Sequence, residues 1–564
     1  VPVQPRPRSV LLVIGALLLA GCTADPAPEE SPAPVRLSAT VADPRTSPLR
    51  IDTEDPVRTA IRMSKQVFGS SSLVVLSTPD EANLTTAASL AVAAGVPLLV
   101  DGEATGDDDP LPVELDRLGA THAITVGQVR DVDGVSAASV TDPAALHGLL
   151  DLGETHQVTA ESVVEAVTAL DRPTTAVLSL GTDPTADRSD STIDPSDTPD
   201  DSWLDEAIID VDITAPAHTA VLTDPLADDD PLALIPAIAT ARAADIPVVE
   251  VPGGDPRATS ETVQALTGVV SGLALGLSFG STERLTPRLE AAATGVELPG
   301  GGQLVFPQGE HLTGKKYIAL YGTPGTPALG VLGEQDVPGT IARAEETARG
   351  YRALTDDTVI PTLEIIATIA SSGPEADGSY SRPRSIDDLR PLIEAAADAG
   401  QAVVIDLQPG RTDFLTQAQQ YAELLAYPNV GLALDPEWRL KPDQVHLRQI
   451  GSVSVDEVNQ VSDWLAQFVR DHDLPQKMFL LHQFSLRMIT DRDRLDVSHD
   501  ELATIIHADG QGSQPAKTGT WNTLRQGAPD VHWGWKNFYD EDQPMLTPEQ
   551  TYQVSPVPDL VTYQ

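Results

Sequence analysis

Val430-Gly431-Leu432-Ala433-Leu434-Asp435-Pro436-Glu437-Trp438 is an apolar run cut off by a carboxylate, a proline and a second carboxylate. Five apolar residues bounded by such a stop are too few for a buried helix and read as a strand covered on both faces. The same figure recurs on either side. Ala402-Val403-Val404-Ile405 runs into Asp406, and Met478-Phe479-Leu480-Leu481 runs into His482. Working outward, strands are expected at 317–321, 361–369, 402–407, 430–435, 478–482, 502–509 and 531–536, with a short eighth at 560–564. Helical stretches are expected between most of them, at 337–354, 386–399, 415–426, 455–471 and 486–491. Seven or eight strand–helix units over about 260 residues match the length and rhythm of a (β/α)₈ barrel of the TIM type.

In such a barrel the chemistry collects at the C-terminal ends of the strands. There the sequence places Tyr321, Glu364, Asp406, Asp435, Glu437, His482, His507, Asp509, Trp533, Trp535 and Lys536. Several carboxylates converging beside aromatics suit a sugar site. One protonated carboxyl donates to a glycosidic oxygen while an ionised one serves as nucleophile or base. Asp435, Glu437, Asp406 and Glu364 are the catalytic candidates; His482, His507, Asp509, Tyr321, Trp533 and Trp535 are the candidates for holding substrate. Each has a plainer reading. Asp435 is equally placed to cap the turn that follows, Glu364 to sit in a buried pair, the histidines to be structural, and the two tryptophans to pack. Metal and cofactor are not expected, because no His-x-x-x-His or Asp-x-Asp-x-Asp spacing occurs. The analogy to glycoside hydrolases is one of fold, since no family signature is present.

Pro299-Gly300-Gly301-Gly302 separates this half from a first β/α series. Leu73-Val74-Val75-Leu76, Pro97-Leu98-Leu99-Val100 and Ala123-Ile124-Thr125-Val126-Gly127 read as buried strands, with helices expected at 57–68, 83–94 and 112–118. A weak repeat follows. Val221-Leu222-Thr223, an Ala-rich helix, Asp245-Ile246-Pro247-Val248-Val249 and Gly272-Leu273-Ala274-Leu275-Gly276 stand in the places of the first three strands. Two units in tandem, 51–165 and 166–298, are the simplest division. The first unit resembles a cell wall-binding repeat of type 2. The likeness rests on Arg58-Thr59-Ala60, Phe68, Val74-Val75-Leu76, Gly95-Val96-Pro97-Leu98-Leu99, Leu118-Gly119 and Val126-Gly127, and is weaker over 210–280. Asn83-Leu84 and Gly127-Gln128 depart from that pattern, where an Asp-Ala and a Gly-Gly pair are common. The resemblance implies an α/β fold and a cell-wall polymer or glycan as partner.

Near the start, Arg6 and Arg8 precede the apolar run 10–19, which leads into Leu19-Ala20-Gly21-Cys22. An apolar run of about ten residues fits a signal peptide and falls short of the twenty or so that span a bilayer. The last four residues resemble a bacterial lipobox. The resemblance implies cleavage before Cys22, diacylglycerol and palmitate-type acylation there, and anchoring to the outer face of the cell membrane. Segment 23–50, rich in Pro, Ala, Ser and Glu, reads as a flexible tether, and 106–110 and 182–201 as acidic loops.

Cys22 is the single cysteine, so a disulfide framework, a catalytic thiol and a Cys-ligated zinc are excluded from the mature chain. A formal charge of −47, from 83 acidic against 36 basic residues, argues against nucleic acid as partner. The sequence therefore points to an acidic, lipid-anchored envelope protein with tandem α/β units and a barrel. Whether it is an enzyme stays open: the barrel hydrolyses envelope glycan, or it binds glycan as a non-catalytic scaffold. A solute-binding lipoprotein is a third, weaker reading.

Overall fold

The computed structural model describes residues 34–43, 45–102, 109–181, 202–211, 213–309 and 311–564. Cys22 and its flanks, and the acidic stretch 182–201, lie outside the described residues, as do residues 103–108.

The C-terminal half is a closed barrel of eight parallel strands: β1 Lys315–Gly322, β2 Thr358–Ala370, β3 Ala402–Leu407, β4 Val430–Leu434, β5 Lys477–Gln483, β6 Leu502–Ala508, β7 His532–Asn537 and β8 Leu560–Tyr563. Each pairs with the next, and β8 closes on β1 with Tyr317 opposite Leu560 and Leu320 opposite Tyr563. The expected helices form at Val337–Arg349, Ile386–Asp398 and Val455–Asp471, while the third is broken into Phe414–Gln420 and Ala422–Leu425. No helix forms over 486–491. Leu486–Met488 is a single 3₁₀ turn, and Ile489–Thr490 instead pairs with Val453–Ser454. One turn cannot recover the cost of helix nucleation, and two β-branched residues favour the extended state. Arg492 pins this segment to the barrel by donating to Gln483 Oε1 at 2.9 Å and to the Leu524 carbonyl at 2.6 Å.

Strand alternation sorts the barrel residues into two sets. Ile318, Leu320, Val403, Ile405, Leu432, Leu434, Phe479, Leu481 and Val561 face outward and pack under the helices. Tyr317, Ala319, Ile360, Ala402, Val404, Ala433, Met478, Leu480, Ala503, Ile505 and Leu560 face inward as the filled lower layers. The segment after Pro299 plugs the lower end. Phe306 stacks on His532 with ring centroids 3.9 Å apart, and the Val305 carbonyl accepts from Tyr317 at 2.9 Å.

The N-terminal half holds two four-stranded parallel sheets. One is ordered Leu98–Val100, Leu73–Ser77, His122–Val126, Ser136–Ser139; the other Val248–Glu250, Thr219–Thr223, Ser271–Leu275, Leu49–Ile51. The three strands matched by sequence take the same relative order in both. Two expected boundaries shift. Residues 35–51, taken as the end of a tether, supply three strands, and Leu37 and Ile51 are each only 1% exposed. The division at 165/166 does not coincide with a packing boundary: Thr175–Leu180 pairs with Leu152–Val158, and one apolar core runs from Leu37 to Leu275. The cause is compositional. Helices Glu81–Ala94 and Pro231–Ala243 carry Ala, Leu, Ile and Val on most of their faces, with no single apolar stripe, and so are covered on more than one side. Their few hydroxyls satisfy backbone across the junction: Ser89 accepts from the Leu178 amide, and Thr240 from that of Leu98.

This lobe docks on the lower end of the barrel. Asp500, just before β6, accepts from Arg284 and Arg288 of helix Thr282–Ala293, and Arg257 donates to its carbonyl. Burial alone would raise the Asp500 carboxyl, but the Arg284 hydrogen bond and the charges of Arg288 and Arg257 hold it below its usual value. A depressed carboxylate contributes stability above its unfolded value that is lost as pH falls through the folded one. Asp500→Ala should therefore destabilise the docked state by about 1–2 kcal/mol at neutral pH. The deficit against wild type, read by denaturant titration, should shrink below about pH 4. The opposite end, with the strand C-termini, is left uncovered by these contacts.

Candidate active site at the upper mouth of the barrel

Two residues above the apolar inward layer, each strand delivers a polar group. Tyr321, Glu364, Asp406, Asp435, His482, His507, Lys536 and Thr562 come from β1 to β8 in turn, and all are at most 3% exposed. The strands are staggered, with Glu364 opposite Val404, Asp406 opposite Ala433 and His507 opposite Gly534, and the tilt of the strands turns this stagger into one ring of polar groups at a common height.

The groups form one network. His482 Nε2 lies 2.7 Å from Glu364 Oε1 and 3.8 Å from Asp406 Oδ1, and its Nδ1 is 2.9 Å from Asp509 Oδ2. Thr562 donates to Glu364 Oε2 at 2.9 Å. Tyr321 donates to Asp406 Oδ2 at 2.9 Å and accepts from Gln408 at 3.2 Å. Lys536 Nζ sits 3.5 Å over the Tyr321 ring, a cation–π contact that fixes a positive charge among the carboxylates. None of these carboxylates is paired with an arginine among the described residues.

Their proton affinities diverge. Burial would raise Glu364, but the His482 charge draws it down to about 2. Burial likewise opposes the charged form of His482, and Glu364 and Asp509 more than reverse this, lifting it well above its usual value. Burial raises Asp406 to about 6 despite His482, and raises Asp435 well above the carboxylate range. His507 is pushed down to about 3 by burial and stays neutral. Glu437 is raised to about 7, by burial first and by the neighbouring Asp509 charge next.

Glu437 stands at the rim because of its turn. Pro436–Trp438 is a 3₁₀ turn started by Asp435, whose Oδ1 accepts from the Glu437 amide at 3.3 Å. Asp435 thus both caps the turn and belongs to the ring. The returning loop seals the turn from behind: a Cβ at Gly451 would lie 2.5 Å from the Glu437 carbonyl, so only glycine fits there. Arg439, paired with Glu457 at 2.9 Å, fixes its far end. In front, Glu437, Trp438 and residues 446–450 line an open recess of about 320 Å³, within the range of small-ligand sites.

The structure gathers Tyr321, Glu364, Asp406, Asp435, His482 and His507 in one layer, with Asp509 and Glu437 at its rim. It does not bring Trp533 or Trp535 there. Both face outward, 5.7 and 5.6 Å from Trp521 of helix Gln514–Arg525, and are buried. Parity is the reason: Gly534 and Lys536 point into the barrel, so the residues beside them cannot. The sequence reading missed Thr562, which the same parity from Leu560 reveals, and Trp438, the aromatic that does meet the recess. Three residues, Glu364, His482 and His507, place donor atoms within 4.8 Å of one another, as do the solvent-facing Asp463, Asp496 and His499.

These features define a parallel β/α barrel with an acid- and histidine-rich site at its strand ends, preceded by an α/β lobe. No family model matches the chain, and no curated protein does. Solved structures similar to parts of it include the following three. Cwp6 from Clostridium difficile is 12% identical over 65% of this chain and 66% of its own, just under two thirds, with a TM-score of 0.31. Tryptophan synthase from M. tuberculosis (16% identical, 44% of this chain and 82% of that one) and D-psicose 3-epimerase from Clostridium cellulolyticum H10 (10%, 44% and 84%) each have a TM-score of 0.24. Likenesses at these scores carry no argument, and the barrel assignment stands on its own strand pairing.

Proposed function

We propose that the barrel is a carbohydrate-active hydrolase of the cell envelope, with Glu437 as proton donor to the leaving oxygen and Asp406 as the ionised partner. The carrying observation is Glu437 itself. Its carboxyl keeps a proton near neutral pH beside the half-buried indole of Trp438, in a recess open to solvent. An acid tuned to the working pH next to a flat apolar face is what glycosidic cleavage uses. Asp406 suits the second role because Tyr321 fixes one of its oxygens and leaves the other without a hydrogen bond. The α/β lobe is then the wall-binding half, a reading supported by the type 2 repeat residues and by the equal strand order of its two sheets. Acylated Cys22 is the membrane anchor.

A second reading, glycan binding without cleavage, is favoured by the full burial of Glu364, Asp406 and His482. Incubating the purified protein with wall glycan, and measuring both new reducing ends and co-sedimentation, separates the two. Cleavage that stops in Glu437→Gln supports hydrolysis. Co-sedimentation with no new ends supports the scaffold, and neither result leaves neither reading standing. For the anchor, cells fed an alkyne fatty acid should label the wild-type chain and not Cys22→Ser; equal labelling of the two would remove the lipid from the proposal.

A further inference from the structure

We infer that Glu364, His482 and His507 form a binding site for a divalent first-row transition metal ion. The inference goes beyond the glycan reading and does not depend on it.

His482 carries the first part of the case. Its Nδ1 faces Asp509 Oδ2 at 2.9 Å and donates there, which leaves Nε2 to face Glu364 Oε1 at 2.7 Å. That contact is not aligned as a hydrogen bond, and among the described residues neither atom has a hydrogen-bond partner. Glu364 Oε2 is held by Thr562, turning Oε1 inward. A histidine oriented through its far nitrogen by a carboxylate, beside a carboxylate oriented by a hydroxyl, is the supporting shell of a metal site.

His507 supplies the second. It is fully buried, and among the described residues neither ring nitrogen has a hydrogen-bond partner. Buried polar groups are nearly always satisfied, so an imidazole with both nitrogens unmet points to a missing ligand. Gly534 leaves room for the ring in this position: a Cβ there would lie 2.6 Å from His507 Cδ2.

The three donor atoms lie within 4.8 Å of one another. Ligands about 2.1 Å from a tetrahedral ion lie roughly 3.4 Å apart, so loading opens the 2.7 Å His482–Glu364 edge and brings His507 to a similar spacing. Two imidazoles and one carboxylate select zinc, manganese, iron, cobalt or nickel over the all-oxygen preferences of calcium and magnesium. Asp406 Oδ1, 3.8 Å from His482 Nε2 and without a hydrogen bond, is the next donor in reach. Local spacing hid the site because β2, β5 and β6 contribute one ligand each.

The competing arrangement is a metal-free ion pair between a doubly protonated His482 and Glu364. Titrating chelator-stripped full-length protein with Co²⁺ distinguishes them. One equivalent should produce visible d–d bands, raise the melting temperature, and be displaced by Zn²⁺. His507→Ala should abolish the bands, and Asp509→Asn should weaken binding by about 10- to 100-fold. Circular dichroism verifies that both variants fold. Gly534→Ala, which leaves every donor in place and crowds only His507, should also lose affinity. Absence of stoichiometric Co²⁺ and Zn²⁺ binding in the folded wild type overturns the inference, as does binding unchanged in all three variants. No glycan enters the assay, so its failure leaves the hydrolase reading untouched.

Discussion

Glu437→Gln is expected to lower the rate of glycan cleavage about 10²- to 10⁴-fold, the usual contribution of a positioned general acid, with glycan capture retained. The amide keeps the size and the place on the 3₁₀ turn but has no proton to give. The turn itself should survive, because it is held by the Asp435 cap, the Gly451 approach and the Arg439–Glu457 pair rather than by the Glu437 side chain. The pH profile adds a second readout. Glu437 is raised to about 7 by burial and by Asp509, against the opposing charges of Lys536 and His482, with Asp406 adding to the rise. The acid must be protonated and its partner ionised, so the wild-type rate should peak between about 6 and about 7, falling on the acid side as Asp406 gains a proton and on the alkaline side as Glu437 loses its own. The residual rate of Glu437→Gln should lack this alkaline limb. If capture fell as steeply as cleavage, Glu437 would be a binding group and the hydrolase reading would lose its proton donor.

The barrel was legible because its strands are buried on both faces and end in abrupt polar stops, a pattern written locally in each strand. The ring of strand-end groups was legible for the same reason. What was not legible depended on relations between strands or between segments. Whether a strand-end residue points in or out follows from parity counted from the layer below, and choosing Trp533 and Trp535 together with Lys536 violated that count. The Glu364–His482–His507 cluster has no sequence spacing at all, since register across β2, β5 and β6 creates it. Likewise the strand at Leu49–Ile51 looked like tether because its partner, Ser271–Leu275, lies more than two hundred residues away, as the register of Ile51 opposite Leu275 records. The Ala- and Leu-rich helices Glu81–Ala94 and Pro231–Ala243 did announce that they need covering, though not by each other.

Trp535→Ala and Trp438→Ala should have opposite consequences, which turns the parity correction into an experiment. Trp535 is 2% exposed, packs edge-on to Trp521, and donates from its indole to Asn537 at 2.9 Å, with Lys517 Nζ 5.1 Å from its ring. Removing a buried indole forfeits its transfer free energy and leaves a cavity, a loss of about 3–5 kcal/mol. In a folding unit of this size that lowers the melting temperature by roughly 6–20 °C, with capture of glycan by the remaining folded protein unchanged. Trp438 lies half-buried on the recess, edge-on to His446 at 5.3 Å. Its truncation removes little core and should alter stability by less than about 1 kcal/mol. It should weaken glycan capture by about 2 kcal/mol, or roughly thirtyfold, as a well-placed tryptophan anchor does. Thermal melts and co-sedimentation on the same two proteins decide the matter. Capture lost in a still-folded Trp535→Ala, with Trp438→Ala unaffected, would move the sugar face to the outside of β7 and sink the recess as the site.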